Sequence, residues 1–277
     1  MKMDIGKLKE EFELLSKEEN EASRLTLFYK VRPLLEGGQL RVAEKIEGEW
    51  KINSWIKSVI LWGFKYGKMK EYSSTPLPFY DKDTYPPRSF DTSDNIRIVP
   101  GGSSVRSGAY VAEGTVIMPP SYINVGAYID SGTMIDSNAL VGSCAQIGKG
   151  VHLSAASQIG GVLEPVGALP VIVEDDVFIG GNCGIYEGTI IEKGAVIASG
   201  VILTGSTPIF DSTTGEFIGR EEQKPLMVPA GAVVVAGSRP VERGEGKRRG
   251  IQLYTPVIVK YRDSQTALST TLEEILR

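Results

Sequence analysis

Starting at Val105, a branched aliphatic residue recurs every six positions: Val105, Val111, Ile117, Ile123, Ile129, Ile135, Val141, Ile147, Leu153 and Ile159. If about one residue in four is Val, Ile or Leu, such a run arises by chance roughly once in a million. The period breaks across Gly160 to Ile172, then resumes as Val173, Ile179, Ile185, Ile191, Ile197, Leu203 and Ile209, and a further step joins Val228 to Val234. A spacing of six fits neither an amphipathic helix nor a heptad. It does fit short strands separated by corners, each strand sending one aliphatic inward. The aliphatics are mostly β-branched, which favours strand. Glycine follows the aliphatic at Gly142, Gly148, Gly160 and Gly180, and stands three residues after it at Gly114, Gly132, Gly150, Gly194 and Gly200. Its backbone freedom suits a corner turned every six residues. Three such units make one turn of a triangular prism, with coils stacked ~4.8 Å apart.

The pattern resembles the hexapeptide repeat of the left-handed parallel β-helix proteins. The left hand is implied by that resemblance alone, since crossover rules for parallel strands favour the opposite. A coil serving only as a spacer is the competing reading. Against it, the interruptions near 160–172 and 205–227 are where loops leave the prism, and such loops often build a binding face.

The flanks differ in character. Asp4 to Leu35 reads as two amphipathic helices, with Leu8, Phe12 and Leu15 on one face of the first and Leu25, Phe28, Val31 and Leu35 on one face of the second. Gly37-Gly38 ends the pair. Leu40 to Ile46 and Trp50 to Asn53 read as a hairpin around Glu47-Gly48, and Ser54 to Lys65 as a helix capped by Ser54. Ser73 to Asp94 is Pro-rich and polar and reads as a linker. Gln252 to Tyr261 reads as one strand and Leu268 to Leu276 as a terminal helix. The expected organisation is an N-terminal, mainly helical domain over 1–94, a β-helix over 95–240 and a C-terminal segment over 241–277.

Composition narrows the function classes. A formal net charge of -4 argues against a general nucleic-acid binder. Two cysteines, Cys144 and Cys183, are too few for a disulfide framework and form no CxxC pair. The first twenty residues carry no signal-peptide apolar core, and the patch Ile56 to Phe64 contains Lys57 and is too short to span a bilayer. No nucleic acid, no membrane and a cytoplasmic location are therefore expected.

More specific segments accompany the repeat. They are Leu40-Arg-Val-Ala-Glu-Lys-Ile46 with Trp50, Ile98-Val-Pro100, Met118-Pro119, Gly126-Ala-Tyr128, Gly132-Thr-Met134 with Asp136, Val141-Gly-Ser-Cys-Ala-Gln-Ile-Gly148, Val151-His-Leu-Ser154 and Gly160-Gly-Val-Leu-Glu-Pro165. Over nearly the whole chain these resemble the tetrahydrodipicolinate N-succinyltransferases. The resemblance implies a homotrimer with active sites between neighbouring prisms. It also implies succinyl-CoA as co-substrate, no permanently bound cofactor, and succinyl transfer to the amine of a ring-opened cyclic imine dicarboxylate in lysine and diaminopimelate biosynthesis. The residues themselves show no metal-binding cluster, so no metal is expected.

Amine attack on a thioester needs a base, donors for the oxyanion, cations for the substrate carboxylates and a groove for the CoA arm. Asp136 follows the inward Ile135, so its side chain points outward, and it falls on the family's functional aspartate. A corner Asp bonding its own backbone is the bland alternative. Arg97 falls on the family's substrate-binding arginine, and Arg106 is a second candidate for a carboxylate. Glu187 matches a family Glu-Gly, but where the family commonly carries a second functional Glu this chain has Gly184. Glu187 as catalytic partner and Glu187 as a solvated corner both stand. His152 is the sole histidine and serves as base in the competing reading, an acetyl-CoA-dependent hexapeptide acyltransferase. One histidine cannot supply the three zinc ligands of a β-helical carbonic anhydrase. In the basic stretch Arg239 to Arg249, Lys247 and Arg248 are candidates for the CoA phosphates, with a solvated loop the alternative. The cysteines read as small packed residues.

Overall fold

The computed structural model describes residues 4–74, 77–219 and 224–262. The expected helix Leu268 to Leu276 lies outside these residues. From Ser104 onward the chain winds a three-sided parallel β-helix of two-residue strands. In chain order the first side begins with Ser104–Val105, the second with Tyr110–Val111 and the third with Val116–Ile117. We call these faces one, two and three. They contain six, six and ten strands, the third being extended at both ends. The register keeps every ladder aligned: Ile129 pairs with Val111 on one side and Ile147 on the other, and Ile147 with Val173. All the sixfold-spaced aliphatics from Val105 to Leu203 are buried in one continuous core that also takes in Ile209, Val228 and Val234.

Two kinds of glycine shape the corners. Those three residues after the aliphatic turn the chain, with φ of +73 at Gly114 and +80 at Gly200. Those immediately after it have ordinary backbone and are required by close approach: a Cβ on Gly142 would lie 2.2 Å from the Gly161 nitrogen. The first kind is conformational and the second steric, a difference that spacing does not reveal.

Before the prism come helices α1 (Ile5–Leu15), α2 (Glu21–Glu36) and α3 (Ser54–Tyr66), with a hairpin of β1 (Ala43–Ile46) and β2 (Glu49–Ile52) between α2 and α3. Asp4 caps α1 by accepting from the Gly6 amide at 3.0 Å, and Asn20 caps α2 by accepting from Ser23. The cap of α3 is Asn53, not Ser54, and Asn53 gives its side chain to Arg41 and Glu44 instead. The buried stripes Leu27, Phe28, Val31 of α2 and Ile56, Val59, Ile60 of α3 pack together and onto Val125 and Cys144 of the prism, so the helical layer shares a core with the coil.

The described residues of the segment expected as a linker are ordered structure. A hairpin of β3 (Met69–Ser74) and β4 (Leu77–Lys82) leads into Tyr85, which is fully buried and donates its hydroxyl to the Ile60 carbonyl at 2.6 Å. Pro78 lies within β4 and Thr84 is buried, donating to the Gly63 carbonyl at 3.0 Å, so residues that read as a linker by composition carry the contacts. Beyond the coil, the expected single strand Gln252 to Tyr261 breaks at Thr255-Pro256 into Gln252–Tyr254 and Val257–Tyr261. The second piece runs antiparallel to Ala232–Val235 and lays Ile258 over the end of the core. Proline removes the donor a continuous strand would need there.

Candidate active site

Asp136 stands at the corner where face three passes to face one, directly after the inward Ile135. Its Oδ1 accepts from the Ser137 amide at 2.7 Å, the local bond of a corner aspartate, while Oδ2 has no partner among the described residues. One oxygen thus fixes the carboxylate and the other is left uncommitted. Arg97 lies on face three, two strands before Met134–Ile135, or about 10 Å along the coil axis. It is exposed, and its guanidinium makes no hydrogen bond or ion pair with the described residues. His152 occupies the strand after that of Met134, with its ring 5.0 Å from Phe178.

Glu187 stands at another corner, where face one passes to face two. It takes φ of +54, and Oε2 accepts from the Gly205 amide at 3.0 Å. With Gly160, Gly161, Tyr186 and Lys224 it lines a cavity of about 770 Å³ floored by the 160–171 loop. One chain does not bring Asp136 and Glu187 together. They lie at opposite edges of face one and two strands apart along it.

Arg106 has a different occupation from the expected one. Its guanidinium is ion-paired with Asp81 and lies over the rings of Phe64 at 4.9 Å and Tyr85 at 5.2 Å. It clamps the N-terminal layer to the prism, and a substrate carboxylate would have to displace Asp81. Sequence spacing gave no sign of this because Asp81 is twenty-five residues away. Lys247 and Arg248 fall in helix α4 (Gly244–Arg248). Lys247 is exposed, whereas Arg248 contacts Glu245 at 2.5 Å and Arg249 shares the same carboxylate. Both cysteines are buried. Burial pushes the Cys144 thiol up to about 12 despite the nearby Lys57, and burial likewise raises Cys183, so neither is a ready nucleophile.

Three features escaped the sequence reading. Tyr186 turns its ring back over Gly184, so the space left by that glycine is filled by an aromatic side chain. Lys57 is fully buried and donates to the Ala168 carbonyl in the 160–171 loop. Tyr254 accepts from the Ile202 amide at 2.7 Å, covering the last strand of face one. Only the charge of Lys57 inside an apolar helix face was a usable signal.

A three-sided coil of six-residue units, with polar groups at its corners and a cavity under an inserted loop, has the architecture of the hexapeptide-repeat transferases. Sequence comparison is more specific. A family profile described as the N-terminal region of tetrahydrodipicolinate N-succinyltransferase matches residues 1–66, and one described as the hexapeptide repeat of succinyl-transferase matches residues 170–205. Relatives named 2,3,4,5-tetrahydropyridine-2,6-dicarboxylate N-succinyltransferase include one from Acinetobacter baylyi, 48% identical over 88% of this chain and 86% of its own. Another from Coxiella burnetii is 47% identical with the same coverage, and one from Edwardsiella ictaluri is 46% identical over 90% of this chain and 87% of its own. The chain belongs to the tetrahydrodipicolinate N-succinyltransferase family.

Proposed function

We propose that this enzyme transfers the succinyl group of succinyl-CoA to the amine of ring-opened tetrahydrodipicolinate, in lysine and diaminopimelate biosynthesis. The observation that carries the reading is near-full-length identity to relatives of that name, at close to half of all positions. The site chemistry agrees with it. Water opens the cyclic imine to an amine and a ketone, and the amine attacks the thioester carbonyl. Asp136, with one oxygen fixed by Ser137 and one open, holds the amine and takes its proton as the C–N bond forms. Arg97, exposed and uncommitted, binds a substrate carboxylate. Glu187, at the cavity lip, completes the polar lining around the amine. Lys247, with Arg248 beside it, meets the phosphates of CoA. No cofactor is permanently bound.

Because Asp136 and Glu187 lie at opposite edges of face one, a site using both requires a neighbouring copy. A homotrimer with its sites in the grooves between prisms meets that need. No helix among the described residues is long and apolar enough to cross a membrane, in keeping with an enzyme working in the cytoplasm. The test is thiol release from succinyl-CoA and from acetyl-CoA with tetrahydrodipicolinate as acceptor. Turnover with succinyl-CoA well above that with acetyl-CoA supports the reading. The reverse ordering transfers the protein to the acetyltransferase class with His152 as its base.

A further inference from the structure

Tyr186 follows the inward Ile185 at the corner between faces one and two, yet its ring does not point to solvent. It folds back over face one onto a seat made by two glycines. A Cβ on Gly184 would stand 2.5 Å from ring Cε2 and 2.9 Å from the hydroxyl oxygen, and a Cβ on Gly160 would stand 2.7 Å from ring Cδ1. Any side chain at either position would displace the ring. Gly184 takes no left-handed backbone angle, so its lack of a side chain serves the ring and not the turn. The seat holds the hydroxyl over the strand Gly184–Ile185, where it makes no hydrogen bond with any described residue. The same half-buried side chain lines the 770 Å³ cavity beside Glu187 and Lys224. An O–H group fixed by packing and uncommitted in the ground state costs little reorganisation when charge develops beside it.

We propose that the Tyr186 hydroxyl donates a hydrogen bond to the thioester carbonyl oxygen as that oxygen becomes an oxyanion, an assignment that rests on the acyl-transfer reading above. The amine nitrogen bonds to the carbonyl carbon, and the carbonyl π pair moves to the oxygen held by Tyr186. The amine proton passes to Asp136 of a neighbouring copy. The C=O bond then re-forms, and the C–S pair leaves on sulfur as CoA thiolate, which takes up the proton. Amide and free thiol are the products.

Tyr186→Phe keeps the ring and its seat and removes only the O–H. In the full chain with succinyl-CoA and tetrahydrodipicolinate, kcat falls by about 10²-fold or more, the effect of losing one oxyanion donor. KM for succinyl-CoA stays within about threefold, because the bond strengthens only in the transition state, and Tm is unchanged. Gly184→Ala pushes the ring off its seat and gives a similar loss in kcat. The double variant is no worse than Tyr186→Phe alone, since both remove the same interaction. A ring with a purely structural role would leave Tyr186→Phe at wild-type kcat, and that result overturns the proposal, as does a raised KM with unchanged kcat. A wild-type chain inert towards succinyl-CoA overturns the acyl-transfer reading as well. An active wild type with an equally active Tyr186→Phe variant overturns the Tyr186 assignment alone.

Discussion

The ammonium of Lys57, on α3, donates to the carbonyl of Ala168 at 2.6 Å, joining the N-terminal helical layer to the loop that floors the Glu187 cavity. Burial lowers the Lys57 pKa, with the nearby Cys144 acting in the opposite direction. In the pH window between that lowered value and about 10.4, the unfolded chain binds the proton that the folded chain releases, so stability rises with pH across the window. Thermal melts of wild type and Lys57→Met at rising pH values up to about 10.4 check this. The wild type gains on the variant as pH rises; a constant gap contradicts the assignment.

Glu174 works in the opposite sense. Burial pushes its carboxyl up, but hydrogen bonds from Lys45 at 2.6 Å, Trp50 at 2.8 Å and the Lys193 amide at 3.1 Å together bring it below its ordinary value. A lowered folded pKa contributes stability above the unfolded value of about 4.3, and that contribution is lost as pH falls through the folded one. Glu174→Gln is therefore less stable than wild type at neutral pH, and the gap narrows as the pH is taken below about 4. Equal melting temperatures at neutral pH would contradict it.

Ile147 tests the prism itself. It is fully buried between Ile129 and Val173 in the ladder of face two. Ile147→Val removes one methyl group and costs about 0.5–1.5 kcal/mol. Ile147→Asp buries an unpaired carboxylate and costs several kcal/mol, enough to stop the folded protein accumulating. A soluble Ile147→Asp protein with wild-type circular dichroism contradicts the inward ladder.

Light scattering at assay concentration checks the assembly, with three times the 30.0 kDa chain mass expected. An active monomer would show that one chain completes the site without a neighbour.

Much of this fold is legible because a two-residue strand with one inward aliphatic repeats on a strict count, so the ladders Val105 to Ile159 and Val173 to Leu203 could be recognised as inward-facing. The helices were legible from stripes such as Phe28 and Val31. What spacing could not convey is contact between remote segments. Asp81 reaches Arg106 from a hairpin whose prolines suggested a linker, and Tyr85 plugs the helical core from the same stretch. Asp136 could be placed as an outward corner residue, but the bond to Ser137 that leaves one carboxylate oxygen open needed coordinates. Tyr186 was invisible because a residue after an inward position is expected to point away from the prism. Only the missing side chains of Gly160 and Gly184 let its ring lie down.

We propose that Asp136, not His152, handles the substrate amine. The carboxylate is anchored through one oxygen and open through the other, whereas the imidazole packs on Phe178. Loss of a positioned proton acceptor typically costs about 10²–10⁴-fold in rate. The most direct measurement is kcat of Asp136→Asn and His152→Asn for thiol release from succinyl-CoA with tetrahydrodipicolinate, each variant first verified as folded. Asp136→Asn should lose at least about two decades and His152→Asn less than about one. The opposite ordering would make the histidine the base and contradict the account.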